Sequence, residues 1–158
     1  MSSRRSGRPP ERAGGDALAA LRLVTAALAD RKALDPMVLD LRGLTAAADY
    51  FVIVSGTSDA HVRGMAEHLM EALAPRGVVP HHVEGLTQGR WVLLDYVDFV
   101  VHVFSEHARK YYDLERLWKS AKRLEAAELA ASRGGRSRTA SSPASSESVP
   151  ARVRRKKA

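Results

Sequence analysis

The chain has 158 residues and carries 25 Lys and Arg against 18 Asp and Glu, a formal net charge of +7. This length accommodates one domain of about 100–130 residues plus tails, and an apolar content of 45% is enough for a packed core. There is no Cys, which excludes disulfides, thiolate zinc sites and cysteine nucleophiles, and no apolar run approaches the ~20 residues of a membrane span.

The positive charge is concentrated at the two ends of the chain. Residues 1–12 hold four Arg and one Glu, and residues 133–158 hold six Arg, two Lys and one Glu. The segment between them is mildly acidic, with thirteen basic and sixteen acidic residues, so the charge does not indicate a basic nucleic-acid-binding domain. We predict a disordered basic arm over residues 1–15, an α/β domain over residues 16–131, and a disordered basic tail rich in Ser and Arg over residues 132–158.

The two ends also bear on location and on partners. The N-terminal arm is rich in Arg and Ser but lacks the apolar stretch of a secretory signal, so we expect a cytoplasmic protein. The tail finishes in the basic run Arg152–Lys157. A run of this kind binds polyanions weakly or only solubilises the chain, and the sequence leaves both possibilities open.

Apolar periodicity along the domain predicts three helices and five strands. Tyr50–Ser55 is almost wholly apolar with β-branched members, which is typical of a strand buried on both faces. Pro80 favours an edge position for its strand, and the acidic corner Asp95–Asp98 joins two strands as an antiparallel hairpin. In order, the predicted elements are a helix from the N-cap Asp16 to about Lys32, strands Val38–Leu41 and Tyr50–Ser55, a helix Asp59–Leu73, strands Val78–Val83, Trp91–Leu94 and Phe99–Phe104, and a last helix from Ser105 or Glu106 with the apolar stripe Leu114, Leu117, Trp118, Ala121 and Leu124.

This order predicts a single α/β domain with one mixed β-sheet of about five strands flanked by helices. Pro36 is expected to separate the first helix from the first strand. No internal repeat is present.

The turn Ser55–Ser58 is the first candidate site. A small, hydroxyl-rich turn before a helix can hold a phosphate, because free N–H groups and the helix dipole favour an anion there. No Gly-Lys-Ser/Thr follows, so this is not a Walker motif. We favour a tight strand-to-helix turn with a capping hydroxyl.

Six His raise the question of a metal site. A zinc site needs three or four converging ligands, and neither His-x₃-His nor His-Glu-x-x-His occurs here. We therefore predict no metal and no cofactor. His102 is the exception to watch, because it alternates with Val100 and Phe104 on a strand, where a structural hydrogen bond or a partner contact is expected.

Aromatic residues and carboxylates cluster between residues 84 and 118. Trp118 falls on the apolar stripe of its predicted helix and is expected in the core. Tyr96 lies in the corner between two strands, so we predict that it is exposed together with Asp95 and Asp98. Exposed aromatics flanked by charge are typical of interfaces, and carboxylates favour a basic partner.

Two blocks of sequence resemble the Iojap family, the bacterial ribosomal silencing factors. The first is Ala48–Gly56 and the second runs from Glu84 to Trp118, within a resemblance that spans about residues 16–121. The second block contains Glu84-Gly85, Trp91–Tyr96, Asp98, Val101–Phe104, Arg109-x-Tyr111-Tyr112 and Leu114-Glu115-x-Leu117-Trp118. One departure is Val97, where the family usually has Gly; a β-branched residue tolerates positive φ poorly, so the corner is expected to differ locally.

The resemblance implies a nucleotidyltransferase-like fold without a complete active site, and no enzymatic activity. It implies binding to the large ribosomal subunit at ribosomal protein fourteen, which blocks joining of the small subunit and represses translation. Members are commonly homodimers, for which the strand Val78–Val83 or the first helix is available, and the basic tail is then a candidate for rRNA contact. The expected partner-binding residues are Trp91, Asp95, Tyr96, Asp98, His102, Arg109 and Tyr111.

Three alternatives remain at this point. A nucleotidyltransferase-like enzyme or nucleotide-binding module needs two carboxylates two apart on a strand for Mg²⁺, whereas Asp95 and Asp98 are three apart and no Asp-x-Asp occurs. The second alternative is a large-subunit assembly factor, because organellar relatives of the family act in large-subunit assembly. The third is a general RNA-binding protein that works through its tails.

Overall fold

The structure, a computed structural model, describes residues 10–125 and Leu129. The helices are α1 (Pro10–Asp30), α2 (Asp59–Leu73), α3 (Glu106–Tyr112) and α4 (Leu114–Leu117). The strands are β1 (Leu34–Asp40), β2 (Tyr50–Gly56), β3 (His82–Glu84), β4 (Trp91–Asp95), β5 (Phe99–Ser105) and β6 (Lys122–Leu124). They form one sheet in the order β3-β4-β5-β2-β1-β6, in which only β2 and β5 are parallel neighbours. The prediction of a single α/β domain with one mixed sheet is confirmed, with a sixth strand added.

The larger core lies between one face of the sheet and the helices α1 and α2. Strand residues that alternate onto this face, such as Val52 and Val101, are fully buried. They pack with Leu21 and Val24 of α1 and with the apolar stripe of α2, which is Val62, Met65, Ala66, Leu69 and Leu73 as the spacing predicts. Burying a large apolar side chain contributes about 1.5–3 kcal/mol, so this helical side supplies most of the packing energy.

A smaller core lies on the opposite face, under α3 and α4. It contains Leu39, Ile53, Phe104 and Leu114, with Trp118 packed partly against it. Because α3 and α4 are short, and α3 contacts mainly β5 and β2, they cover only part of this face.

The prediction of one long final helix is wrong. Asp113 adopts a left-handed conformation with φ +51° and closes α3, its N–H donating to Arg109 O. One further turn forms α4, and Lys122–Leu124 then pairs with β1 as an antiparallel edge strand. Tertiary pairing with β1 therefore overrides the helical periodicity of this segment. Trp118 is half-buried, and Leu124 packs against the larger core.

Several predicted boundaries also differ. The helix α1 begins at Pro10, not after Asp16, and Pro suits the first helical position because its missing N–H is not needed there. Pro36 lies inside β1, where a bulge between Leu34 and Met37 removes the need for a ladder N–H. The edge position of β3 is confirmed, but the strand is confined to His82–Glu84. The predicted tail over residues 132–158 lies outside the described residues.

Candidate partner-binding face

The sheet face opposite α1 and α2 carries a group of large side chains from neighbouring strands. In the β4–β5 ladder Trp91 is opposite Phe104, and Leu93 is opposite His102. Paired residues of a ladder point to the same face, so these four side chains share it. We call this surface the aromatic face and define it as Phe51, Trp91, Leu93, Asp95, His102, Phe104, Tyr112 and Trp118.

The aromatic face is only partly covered. Leu93 and Asp95 on β4 are half-buried, as are Trp91 and Phe51. At its margin, three large side chains are exposed outright: Tyr111 at 75%, Leu117 at 72% and Tyr112 at 48%. Exposed apolar patches are typical of interaction sites, which makes this face the candidate site.

Trp91 and His102 form the centre of the aromatic face. The indole Nε1–H of Trp91 donates to Nδ1 of His102 at 3.0 Å, and the Trp91 ring lies 4.6 Å from that of Tyr112. Because Nδ1 accepts, the proton of the neutral imidazole is on Nε2, which has no hydrogen-bond partner among the described residues. Burial lowers the pKa of His102 to about 4, so the ring is neutral at physiological pH. The structural hydrogen bond expected for His102 is present.

Tyr96, predicted to be exposed, is buried. Its side chain is 7% exposed and stacks on Phe99 with ring centroids 4.9 Å apart. It alternates away from the aromatic face onto the side of α1, where the small side chains of Ala17 and Ala20 leave room for it. Burial raises the pKa of Tyr96 to about 12, and its hydroxyl finds no partner among the described residues.

The two carboxylates of the acidic corner lie on different sides of the sheet. Asp95 pairs with Val100 in the ladder and shares the aromatic face, whereas Asp98 lines a cavity of about 320 Å³ beside α1. Between them Asp98 N–H donates to Tyr96 O at 2.9 Å, a γ-turn centred on Val97 with φ +75°. The corner is therefore not one contact surface, and of its members only Asp95 accompanies Trp91.

Arg109, expected at the contact surface, is a buried connector. Its guanidinium donates to Glu115 Oε2 at 2.8 Å, to Asp35 O at 2.8 Å and to Ser55 Oγ at 3.0 Å. The side chain thus joins α3 to α4, to the bulge of β1 and to the end of β2. It supports the helix that presents Tyr111, and its own side chain is buried.

The turn after β2 is bonded to the helix that follows it. Ser58 Oγ caps α2 by accepting from His61 N–H at 3.0 Å, and Thr57 N–H donates to His61 Nδ1 at 2.9 Å. The imidazole of His61 thus occupies the position over this turn, and its Nε2 contacts Arg31 O at 2.6 Å. The capping interpretation is confirmed for Ser58, and a phosphate would have to displace His61.

No metal-binding arrangement is found among residues 10–125 and 129. Within that part of the chain, no group of three or more His, Asp or Glu side chains is placed to hold an ion. His82 instead pairs with Glu84, and His68 lies 3.5 Å from Asp30. In the same residues no helix is both long and apolar enough to cross a membrane.

The fold and the aromatic face together define the class of protein: an α/β domain with an aromatic surface on one side of its sheet. A comparison with family models gives the particular family: the one described as Ribosomal silencing factor during starvation matches residues 15–150. The chain belongs to this family of ribosomal silencing factors, and the resemblance noted from the sequence is confirmed.

Individual relatives agree with the family assignment. The chain is 41% identical over 101 residues to the ribosomal silencing factor of Bacillus subtilis, which covers 64% of this chain and 86% of the relative. A more distant relative is the mouse protein named for mitochondrial assembly of the ribosomal large subunit, 36% identical over 73 residues, 44% of this chain and 32% of that one. A crystal structure from Chromobacterium violaceum superposes with a TM-score of 0.63 at 35% identity, covering 68% of this chain and 90% of that one.

Proposed function

We propose that this protein binds the large ribosomal subunit through the aromatic face, at ribosomal protein fourteen, and sterically blocks joining of the small subunit. The single observation that carries the proposal is the partly exposed face around Trp91. A ribosomal silencing factor needs such an exposed surface to bind its partner. The protein represses translation by occupying a surface, and no catalytic step is required.

The chemistry of the face fits a basic protein partner. Trp91 is held at a fixed angle by its bond to His102, which gives a rigid, amphipathic anchor of the kind found at interface centres. Asp95 and, on the neighbouring strand, Glu84 supply negative charge at the β3–β4 side of this face. A basic rim on the partner complements these carboxylates and speeds the encounter.

Assembly of the large subunit is a second candidate function. It is favoured by the relative whose printed name refers to mitochondrial large-subunit assembly. The same face serves both activities, since each begins with binding to the large subunit. The cytoplasmic location and the homodimer, through β3 or α1, remain predictions within this proposal.

The nucleotide-binding alternative finds little support in the geometry. Asp95 and Asp98 lie on different sides of the sheet and cannot hold Mg²⁺ together. The turn where a phosphate would bind is closed by His61. A thermal-shift titration with nucleotides and Mg²⁺ tests this alternative directly, and a saturable rise in melting temperature would revive it.

The testing experiment is co-sedimentation of the full-length protein with isolated large subunits, followed by addition of small subunits. We expect the protein to travel with large subunits and to prevent formation of joined ribosomes. The informative variant is Asp95→Asn, which keeps an oxygen acceptor for the Val97 N–H and removes only the charge. Its affinity should fall about tenfold, and joining should resume.

Asp98→Asn is the matched control, because it removes the same charge from the other side of the sheet. It should bind within about twofold of the parent protein. Equal loss in both variants would contradict the placement of the site. A third chain lacking residues 133–158 tests whether the tail provides the attachment; the proposal requires that most of the binding survives without it.

A further inference from the structure

The corner between α3 and α4 presents exposed aromatic and basic side chains next to one another. Tyr111 is 75% exposed and Leu117 is 72% exposed, and neither belongs to a core. A shallow cavity of about 630 Å³ opens between them, lined by Lys110, Tyr111, Tyr112, Asp113, Arg116, Leu117 and Lys119.

The cations of this corner are not used by the fold. The side chains of Lys110, Arg116 and Lys119 are exposed and make no ion pair or hydrogen bond within the described residues. The nearby carboxylate of Glu115 is engaged by Arg109, which leaves Asp113 as the acid lining the cavity and Glu106 one turn before Lys110. The local balance is therefore positive, although the folded segment as a whole is acidic.

The aromatic ring of Tyr111 at this corner is exposed and does not pack into a core. Tyr111 and Tyr112 form a T-shaped pair with ring centroids 5.0 Å apart and planes at 89°, and Tyr111 remains 75% exposed. Tyr112 in turn touches Trp91, so the corner is continuous with the aromatic face. Exposing the ring of Tyr111 to water is unfavourable, and packing within the fold does not account for its position.

We propose that the α3–α4 corner is an RNA-contact site. In it an unpaired base stacks on Tyr111, and Lys110, Arg116 and Lys119 hold the flanking phosphates. Aromatic platforms beside cations are how proteins hold single-stranded nucleic acid, because every base has a π-face and every linkage carries a negative charge. The acidic end of the aromatic face, at Glu84 and Asp95, and this basic corner thus address partners of opposite charge.

The first test uses the full-length protein and a single-stranded oligouridine of about 12 nucleotides, with binding followed by fluorescence anisotropy at several salt concentrations. The variant replaces Lys110, Arg116 and Lys119 by Gln. The matched control replaces Arg31, Lys32 and Arg76 by Gln, which removes the same charge from exposed positions after α1 and α2 and leaves the tails intact.

We expect the corner variant to bind about tenfold more weakly, and its salt slope to fall by about 2, since each phosphate contact on a single strand contributes ~0.7. The control should change by less than about threefold, with little change in slope. Equal losses in the two variants would mean that only total charge matters, and the proposal would be overturned.

Tyr111 separates stacking from charge. Tyr111→Ser should weaken oligouridine binding about fivefold or more, and Tyr111→Phe should restore it, because the phenyl ring stacks equally well. If Tyr111→Ser weakens large-subunit binding but leaves oligouridine binding unchanged, the corner contacts protein and the RNA proposal fails. The oligonucleotide assay contains no ribosome, so its result does not depend on whether the function proposed above is correct.

Discussion

The Nε1–H of Trp91 points at Nδ1 of His102 across the β4–β5 ladder, 3.0 Å away, and this bond fixes the states of both rings. The indole can no longer rotate freely, and the imidazole is restricted to the tautomer with its proton on Nε2. Protonating Nδ1 would place two donors against each other in a site that is only 3% exposed. The aromatic face is therefore held rigid by a histidine that must remain neutral.

Acid should destabilise the fold through His102. Its pKa is about 4 in the folded protein and 6.5 ordinarily, so between these values the unfolded chain binds the proton and the folded one does not. The stabilisation from the neutral ring is complete above pH 6.5 and is lost as pH falls toward 4, by up to about 3 kcal/mol. Urea unfolding from about pH 7.5 to about pH 4.5 measures it.

The control for this dependence is His102→Asn. The amide oxygen replaces Nδ1 as the acceptor for Trp91, but no group titrates. The variant should be less stable at neutral pH, because a smaller side chain leaves a cavity, and its stability should fall less steeply with acid. Parallel slopes for the two proteins would show that other groups cause the acid sensitivity, such as Asp40, whose pKa is lowered by its hydrogen bonds with Arg42.

Val97→Gly should stabilise the protein by about 1 kcal/mol. The γ-turn forces φ +75° on a β-branched residue, and relief of that strain exceeds the entropy lost when Gly is ordered. Val79→Gly is the comparison, because Val79 is exposed and is not among the residues with positive φ. We expect that change to be neutral or destabilising. A Val97→Gly protein with a lower urea midpoint than the parent would refute the strain argument.

Arg109→Met should cost about 2–4 kcal/mol. The change removes donors from Glu115, from the Asp35 carbonyl and from the buried hydroxyl of Ser55, and thereby loosens α3 from the sheet. Arg116→Met, on an exposed position of α4, should change stability by less than about 0.5 kcal/mol. Chemical denaturation of the two variants gives the difference, and similar values would mean that the Arg109 network contributes little.

The sequence predicts the elements whose periodicity agrees with their packing. Tyr50–Ser55 and Asp59–Leu73 are placed correctly. In the central strand and in the amphipathic helix, the apolar residues that define the sequence pattern are also the residues that pack in the core. The last segment fails for the opposite reason. Its apolar spacing is helical, but Asp113 ends α3 and Lys122–Leu124 pairs with a strand more than eighty residues earlier in the chain.

The candidate site is predictable only where strand alternation is used strictly. Alternation from Trp91 leads to Leu93 and Asp95, and the structure joins these three on the aromatic face. The same alternation places Tyr96 on the other side of the sheet, whereas its position in the corner had suggested exposure. The role of Arg109 was not foreseeable, because apart from Glu115 its partners lie 54 to 75 positions away in sequence.

The end of the described chain lies against α1. Leu129 is 4% exposed within the larger core, and its carbonyl accepts from Arg22 Nη1 at 3.1 Å. This contact places Leu129 on the α1 side of the sheet, away from Trp91. The contact between Leu129 and α1 and the aromatic face therefore lie on opposite faces of one sheet, so a ligand bound to the aromatic face leaves that contact intact.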